Sequence, residues 1–294
     1  MYWGSVEALL ASTRRRHYEG QVQLIFTSPP FPLNRKKRYG NRLGEEYLAW
    51  LSGLAKDFAS LLTKDGSIVM EIGNSWNAGK PTMSTLGLRA LLRFMEAGQL
   101  NLCQQFICHN PARLPTPAQW VNIERIRVKD TFTHVWWMSP YDKPKASNVK
   151  VLKGYSRSML GLLQAGTYNA GTRPSGHKIG DKSFLADNGG AIPSNVLTFA
   201  NTSSSDEYRN YCLERNIDVH PARMSPGLAE FFVRMLSDKG DLVFDPFAGS
   251  NTTGAVAERL GRRWLCTEPL PEYVEGSRGR FPTARAGAAI ELAG

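Results

Sequence analysis

The chain has 294 residues, with 36 Lys and Arg against 26 Asp and Glu and a formal net charge of +10. That length accommodates one large α/β domain with an inserted or appended module, and the charge suits a polyanionic partner. Four cysteines (Cys103, Cys108, Cys212, Cys266) lack metal-ligand spacing, and there is no signal peptide or membrane-length apolar run. The expectation is a cytoplasmic chain with reduced thiols, no metal centre and no membrane span.

Tyr2-Trp3-Gly4 reads as a strand end leading into a short helix over 6–10, and Val22, Leu24, Ile25 and Phe26 as a buried strand stopped by a proline pair. Tyr47, Leu48, Leu51, Leu54, Ala55, Phe58, Leu61 and Leu62 recur at helical spacing and predict one helix over 45–62, ended by Lys64-Asp65-Gly66. A strand over 67–72, a helix over 85–96 and strands over 102–108 and 132–138 follow. This alternation predicts parallel βαβ units. Over 140–219 the pattern dissolves into Gly, Ser, Asn and basic residues, too long a stretch for an ordinary loop. Disorder and partial packing both fit, with Ile192, Val196, Leu197 and Phe199 pointing to packing. Regular structure resumes with a helix over 226–236, a strand over 242–244, a helix over 252–260, a strand over 264–267 and a last helix near Tyr273. Between Pro111 and Lys182 there are twelve Lys and Arg against four acids, so most of the net charge sits in a quarter of the chain.

Two strand ends carry chemistry. The strand 242–244 runs into Asp245-Pro246-Phe247-Ala248-Gly249-Ser250-Asn251-Thr252, a tight turn and helix start at which the backbone can approach a ligand. Residues 249–254 match the first half of a phosphate-binding loop, but Ala255 and Val256 replace the Lys and Ser/Thr that phosphate and Mg²⁺ need. Glu268 ends the next strand 23 residues after Asp245, close to the spacing at which a carboxylate reaches ribose hydroxyls. At the other end of the chain Thr27-Ser28-Pro29-Pro30-Phe31 closes the first long strand; by itself this is also what an ordinary turn after a strand looks like.

Taken together and in this order, the two motifs resemble those of the DNA amino-methyltransferases, in the circularly permuted β group where the cofactor loop comes last. Stretches such as Trp120-Val121-Asn122, Arg173-Pro174-Ser175-Gly176-His177, Asp187-Asn188-Gly189-Gly190 and His220-Pro221-Ala222-Arg223 extend the resemblance over nearly the whole chain, to the PvuII-type N4-cytosine enzymes. The resemblance implies a Rossmann-like class I methyltransferase with a mixed seven-stranded sheet and a small DNA-recognition lobe. Residues 1–139 would form the catalytic half, 140–219 the target-recognition region and 220–294 the cofactor-binding half.

It further implies S-adenosylmethionine as cofactor, held by Thr27, His220, Ala222, Arg223, Asp245, Phe247, Ala248, Gly249, Ser250, Asn251, Thr252 and Glu268. Ser5 stands where many relatives carry an acid that meets the adenine. Ser28 and the Pro29 carbonyl would accept the two amino protons of the target base, Pro30 would stiffen the loop, and Phe31 would stack on the flipped base. Double-stranded DNA would be gripped by Arg35, Lys36, Lys37, Arg38, Arg113, Arg173, Ser175, His177 and Lys178, although a run such as 35–38 also reads as a solvated basic loop. Trp120, Trp136 and Trp137 read as core residues or as DNA wedges. Ser in place of Asp at position 28 favours cytosine N4 over adenine N6, which remains the alternative; a DNA-binding module with a decayed cofactor site is the rival of another class. The partners expected are duplex DNA and a cognate restriction endonuclease acting independently, with the enzyme a monomer or dimer.

Overall fold

The computed structural model describes residues 1–32, 42–180, 185–200, 206–281 and 290–292. The strands are β1 (Tyr2–Trp3), β2 (Val22–Thr27), β3 (Leu62–Gly73), β4 (Asn101–His109), β5 (Phe132–Ser139), β6 (Gly171–Thr172), β7 (Lys178–Ile179), β8 (Val196–Thr198), β9 (Leu242–Asp245), β10 (Arg263–Glu268) and β11 (Ile290–Glu291). The helices are α1 (Val6–Ala11), α2 (Gly44–Gly53), α3 (Ala55–Leu61), α4 (Leu86–Gly98), α5 (Arg157–Ala165), α6 (Glu207–Glu214), α7 (Pro226–Leu236), α8 (Thr252–Arg259) and α9 (Pro271–Ser277). The chain divides into two compact units, one made of Met1–Ala146 with Asn195–Gly294, the other of Ser147–Ser194.

The larger unit is built on one mixed sheet in the order β11-β1-β10-β9-β2-β3-β5-β4-β8. Among the described residues it has nine strands where seven were expected. The two additions are short edge strands: β11 pairs with β1, and β8 with the end of β4, each capping backbone groups that the edge strand would otherwise leave open. Strand β5 runs antiparallel to both β3 and β4, while β10, β9, β2 and β3 are parallel. Their C-terminal ends, Glu268, Asp245, Thr27 and Gly73, therefore gather along one edge of the sheet, where ligands bind in open α/β sheets. Pairing of Tyr2 and Trp3 with Thr267 and Glu268 places the first strand beside one of the last, as a circular permutation requires.

Two local expectations change. The single helix expected over 45–62 is two helices: Gly53, a poor helix former, closes α2, and the Leu54 amide turns back to the Leu51 carbonyl at 3.1 Å before α3 restarts. Its last residue, Leu62, already belongs to β3. The residues expected to end that helix instead bulge within β3, where Val22 pairs with Leu62 but Leu24 with Ser67; Gln23 fills the bulge by donating to the Asp65 carbonyl and accepting from the Thr63 hydroxyl. Aromatic side chains from α3, α7 and the strands, among them Phe26, Phe58, Phe232, Phe244 and Trp136, are fully buried around the sheet. Trp136 and Trp137 are thus core, and Trp120 is half-buried.

Within the irregular region, Ser147–Ser194 forms its own unit: α5, the β6-β7 hairpin and an isolated Lys153–Ala191 bridge. Of the four apolar residues read as packing there, Leu197 is buried and Phe199 lies against Gly227, whereas Ile192 and Val196 are exposed. Helix α6 was not anticipated. Among the described residues no helix is long and apolar enough to cross a membrane.

Candidate active site

The loop after β9, expected to hold the cofactor, is folded around Asp245. This buried carboxylate accepts from the Thr27 hydroxyl (2.7 Å) and the Phe247 amide (3.1 Å) through Oδ1, and from the Thr253 hydroxyl (2.7 Å) through Oδ2. Burial raises its pKa while these three donors pull it back down. The Thr27 bond ties the end of β2 to the end of β9, so the Ser-Pro-Pro loop and the cofactor loop are one construction. Gly249 has φ +49°, and a Cβ there would stand 2.9 Å from His220 Nε2, so both the backbone conformation and the space demand glycine. Asn251, also left-handed, caps α8 by accepting from the Gly254 amide; its side-chain nitrogen is buried without a partner among the described residues.

Glu268 closes the site from β10. Its two oxygens accept from the Gly249 amide (2.9 Å) and the Leu270 amide (3.0 Å), and burial, with Asp245 and Glu272 adding repulsion, pushes its carboxyl up to about 7. His220 is pushed down to about 4, chiefly by burial with Arg223 and Arg280 nearby. The neutral ring accepts from the Ala222 amide through Nδ1 (3.3 Å), which leaves the proton on Nε2, the atom facing Gly249. Arg223 pairs with Asp206 (2.7 Å), and Phe247 packs on Trp50. Ser5 is committed as the N-cap of α1, accepting from the Ala8 amide, so it is engaged within its own helix.

Sequence reasoning missed what holds this loop. Arg280 donates to the Ser250 carbonyl (2.6 Å) and hydroxyl (3.0 Å), and Tyr208 of α6 accepts from the His220 amide (3.0 Å). The recurrence of Tyr208, Tyr211 and Cys212 behind the capping Asp206 was a signal for α6.

At the loop after β2, Ser28 is half-buried and its hydroxyl donates to the Glu71 carbonyl at a long 3.4 Å, leaving its lone pairs available. Pro29 is buried and Pro30 half-buried. The Phe31 ring lies on Gly73, where a Cβ would come within 2.4 Å, so the glycine that ends β3 is what lets the ring sit there. Glu71, a lone acid in an apolar strand, was also passed over. Desolvation raises its carboxyl, opposed by the Thr133 hydroxyl donating at 2.8 Å and by the charge of Arg113.

Of the residues expected to bind DNA, Arg35, Lys36, Lys37 and Arg38 lie outside the described residues. Arg113 is half-buried and donates to the Phe132 carbonyl (3.3 Å). In the smaller unit, Arg173, Ser175, His177 and Lys178 are exposed around the turn between β6 and β7, which is closed by the Arg173 amide donating to the His177 carbonyl (2.9 Å).

A family model described as DNA methylase, covering the N6 and N4 methyltransferases, matches residues 22–278. The chain belongs to this DNA methylase family. One member, the Type II methyltransferase M.PvuII of Proteus hauseri, is 44% identical over 96% of this chain and 83% of its own length. Another, M.BglII of Bacillus subtilis, is 25% identical over 87% of this chain and 62% of its own length. Among solved structures, the cytosine-N4-specific PvuII DNA methyltransferase superposes with a TM-score of 0.76 at 37% identity, covering 98% of this chain and 87% of that one. A protein of Thermus thermophilus, complexed with S-adenosyl-L-methionine, has the same fold at 21% identity, with a TM-score of 0.58 over 99% of this chain and 96% of that one.

The site of this DNA methylase has the donors and acceptors that S-adenosylmethionine requires. Glu268 keeps a further lone pair on each oxygen that would accept from ribose hydroxyls, and Asn251 Nδ2, buried without a partner among the described residues, and the His220 Nε2 proton would be donors for a carboxylate.

Proposed function

We propose that this protein methylates N4 of a cytosine flipped out of duplex DNA, using S-adenosylmethionine, within one short and palindromic word. The observation that carries the reading is the Thr27–Asp245 hydrogen bond, which fixes an amine-binding strand end beside a cofactor-binding one. When bound, S-adenosylmethionine supplies an electrophilic methyl group. The protein's own task is to make a poor nucleophile attack it, because the lone pair of an aromatic amine is delocalised into the ring.

Ser28 and the Pro29 carbonyl accept the two amino protons and draw the nitrogen toward sp³ geometry, an interaction that strengthens in the transition state. Phe31, held on Gly73, stacks on the base. Glu268, His220 and Asn251 hold the cofactor. Because both groups are fixed before reaction, direct transfer needs no covalent enzyme intermediate. The exposed Arg173–Lys178 hairpin contributes to gripping the DNA, and residues 140–219, which contain the unit Ser147–Ser194, act as the target-recognition region, with residues 1–139 and 220–294 supplying the catalytic and cofactor halves.

Kinship with Type II enzymes supports a protective role opposite an independently acting endonuclease. Nucleoside mass spectrometry of methylated DNA tests the base assignment. N4-methylcytosine is expected on unmodified and hemimethylated duplexes; N6-methyladenine as major product overturns the assignment, and 5-methylcytosine overturns the mechanism. The adenine reading draws support from YhdJ, a DNA adenine methyltransferase of Escherichia coli, 37% identical over 35% of this chain and 32% of its own length.

A further inference from the structure

Between β4 and β5 the chain makes an excursion, residues 110–131, that neither the cofactor site nor the amine site uses. It leaves and returns at the active edge of the sheet: Thr133, just past its end, pairs with Gly73, the residue beneath Phe31. The excursion is firmly shaped. Its neck is closed by the Asn110 amide donating to the Thr131 carbonyl (2.7 Å), and its tip by the Ile126 and Arg127 amides donating to the Trp120 carbonyl (3.0 and 3.2 Å). It is also tied to the segment that follows β3, with Asn74 donating to Asp130 (2.9 Å), the Arg127 guanidinium lying 3.6 Å over the Trp76 ring, and Arg127 donating to the Pro81 carbonyl (2.7 Å).

This ordered loop holds apolar side chains out in water: Ile123, Ile126 and Val128 are 69%, 59% and 87% exposed. Single exposed apolar residues are ordinary, but three within six positions, on a loop braced by its own hydrogen bonds, form a surface made to be covered. The neighbours indicate by what. Arg125 at the tip and Lys129 beside Val128 are exposed cations, Lys129 steadied by donating to the Pro111 and Arg113 carbonyls (3.3 and 3.4 Å), while Glu124 accepts from Gln119 and Asp130 from Asn74. Apolar tips framed by cations match a duplex being opened, with unstacked base faces inside and phosphates outside.

We propose that residues 110–131 form the wedge that enters the duplex where the target base leaves, with Ile123, Ile126 and Val128 against the exposed base faces and Arg125 and Lys129 on the flanking phosphates. The proposal rests on duplex DNA being the substrate. Extrusion sacrifices stacking and pairing, and apolar contacts made only in the opened duplex offset that loss.

The test uses the full chain carrying Ile123→Ser, Ile126→Ser and Val128→Ser together, with Leu92→Ser, an apolar residue 65% exposed on α4, as the control. Because the replaced side chains are exposed, the melting temperature should not change. Methylation is measured on two duplexes bearing the word found by sequencing methylated DNA, one with the target cytosine paired to guanine and one with it opposite an abasic site, where opening costs little. The expected result is a loss of about tenfold or more in kcat/KM on the paired duplex, near-normal turnover on the abasic one, and no change for Leu92→Ser. Equal loss on both duplexes, or no loss on either, overturns the wedge while leaving the methyltransferase reading intact. Loss of self-association in sedimentation with unchanged duplex preference would assign the loop to a second copy of the chain and also overturn it. A wild-type protein that methylates neither duplex overturns the underlying reading and the wedge with it.

Discussion

The edge of the large sheet and the Ser147–Ser194 unit are built on opposite principles. At the sheet edge, Thr27, Asp245, Asn251 and Glu268 are all buried, and the Asp245 and Glu268 carboxylates are fixed by the Thr27 and Thr253 hydroxyls and by the Phe247, Gly249 and Leu270 amides. In the smaller unit α5 buries no residue, and the hairpin turn carrying Arg173 to Lys178 stands in solvent. Chemistry that needs placement to a fraction of an ångström is housed where structure is over-determined. In the proposed reading, contact with a long polyanion, which rests on charge and tolerates adjustment, is left to a sparsely packed surface.

The largest effect should come from the sheet edge. Ser28→Ala removes an acceptor whose value rises as the amine pyramidalises, and should lower single-turnover methyl transfer by about 10²–10³ with cofactor and DNA binding retained. Near-normal turnover would break the contrast at its strongest point.

Glu268→Ala should weaken binding of S-adenosylhomocysteine by about 1–3 kcal/mol, measurable by calorimetry. The same carboxyl sets a pH dependence. With a pKa of about 7 it passes from about a tenth to about nine-tenths ionised between pH 6 and 8, so affinity should rise about tenfold across that range, and Glu268→Gln should flatten the profile. Stability of the free protein runs the other way. The folded carboxyl is raised above its unfolded value, so it holds a proton that the unfolded chain has lost; this contribution is present at low pH and fades as pH rises through about 7. His220, at about 4, does not titrate in this window.

Thr27→Val leaves Asp245 without one of its three donors and should cost about 1–3 kcal/mol of stability, read as a lowered melting temperature. An unchanged transition would mean the two loops are held together by other contacts. Smallest of all, Arg173→Ala with Lys178→Ala should leave cofactor affinity untouched while flattening the salt dependence of DNA affinity by about 2 in log–log slope. A change in cofactor affinity instead would erase the division between the regions.

Much of this was legible because it is local. A strand, a tight turn and a helix start are written in consecutive residues, so the loop from Asp245 to Thr252 and the strand end at Ser28 could be read directly. The helix expected over 226–236 is Pro226–Leu236 residue for residue. What escaped depends on distant pairs. Nothing near Arg280 in the sequence announces Ser250 as its partner, and Gly73 gains its meaning only once Phe31 is folded onto it. The extra edge strands β8 and β11, three and two residues long, carry too little pattern to register as strands.

The short bond between Thr27 and Asp245 has a consequence for ligand design. Because it locks the two loops to each other, the distance between the proposed amine acceptor and the proposed adenosine site is a property of the fold, not of whichever ligand arrives. A single molecule carrying a cytosine-like amine and an adenosine on a rigid tether of that length would reach its second pocket at high effective concentration and with little ordering left to offset, a gain that two freely hinged loops would forfeit.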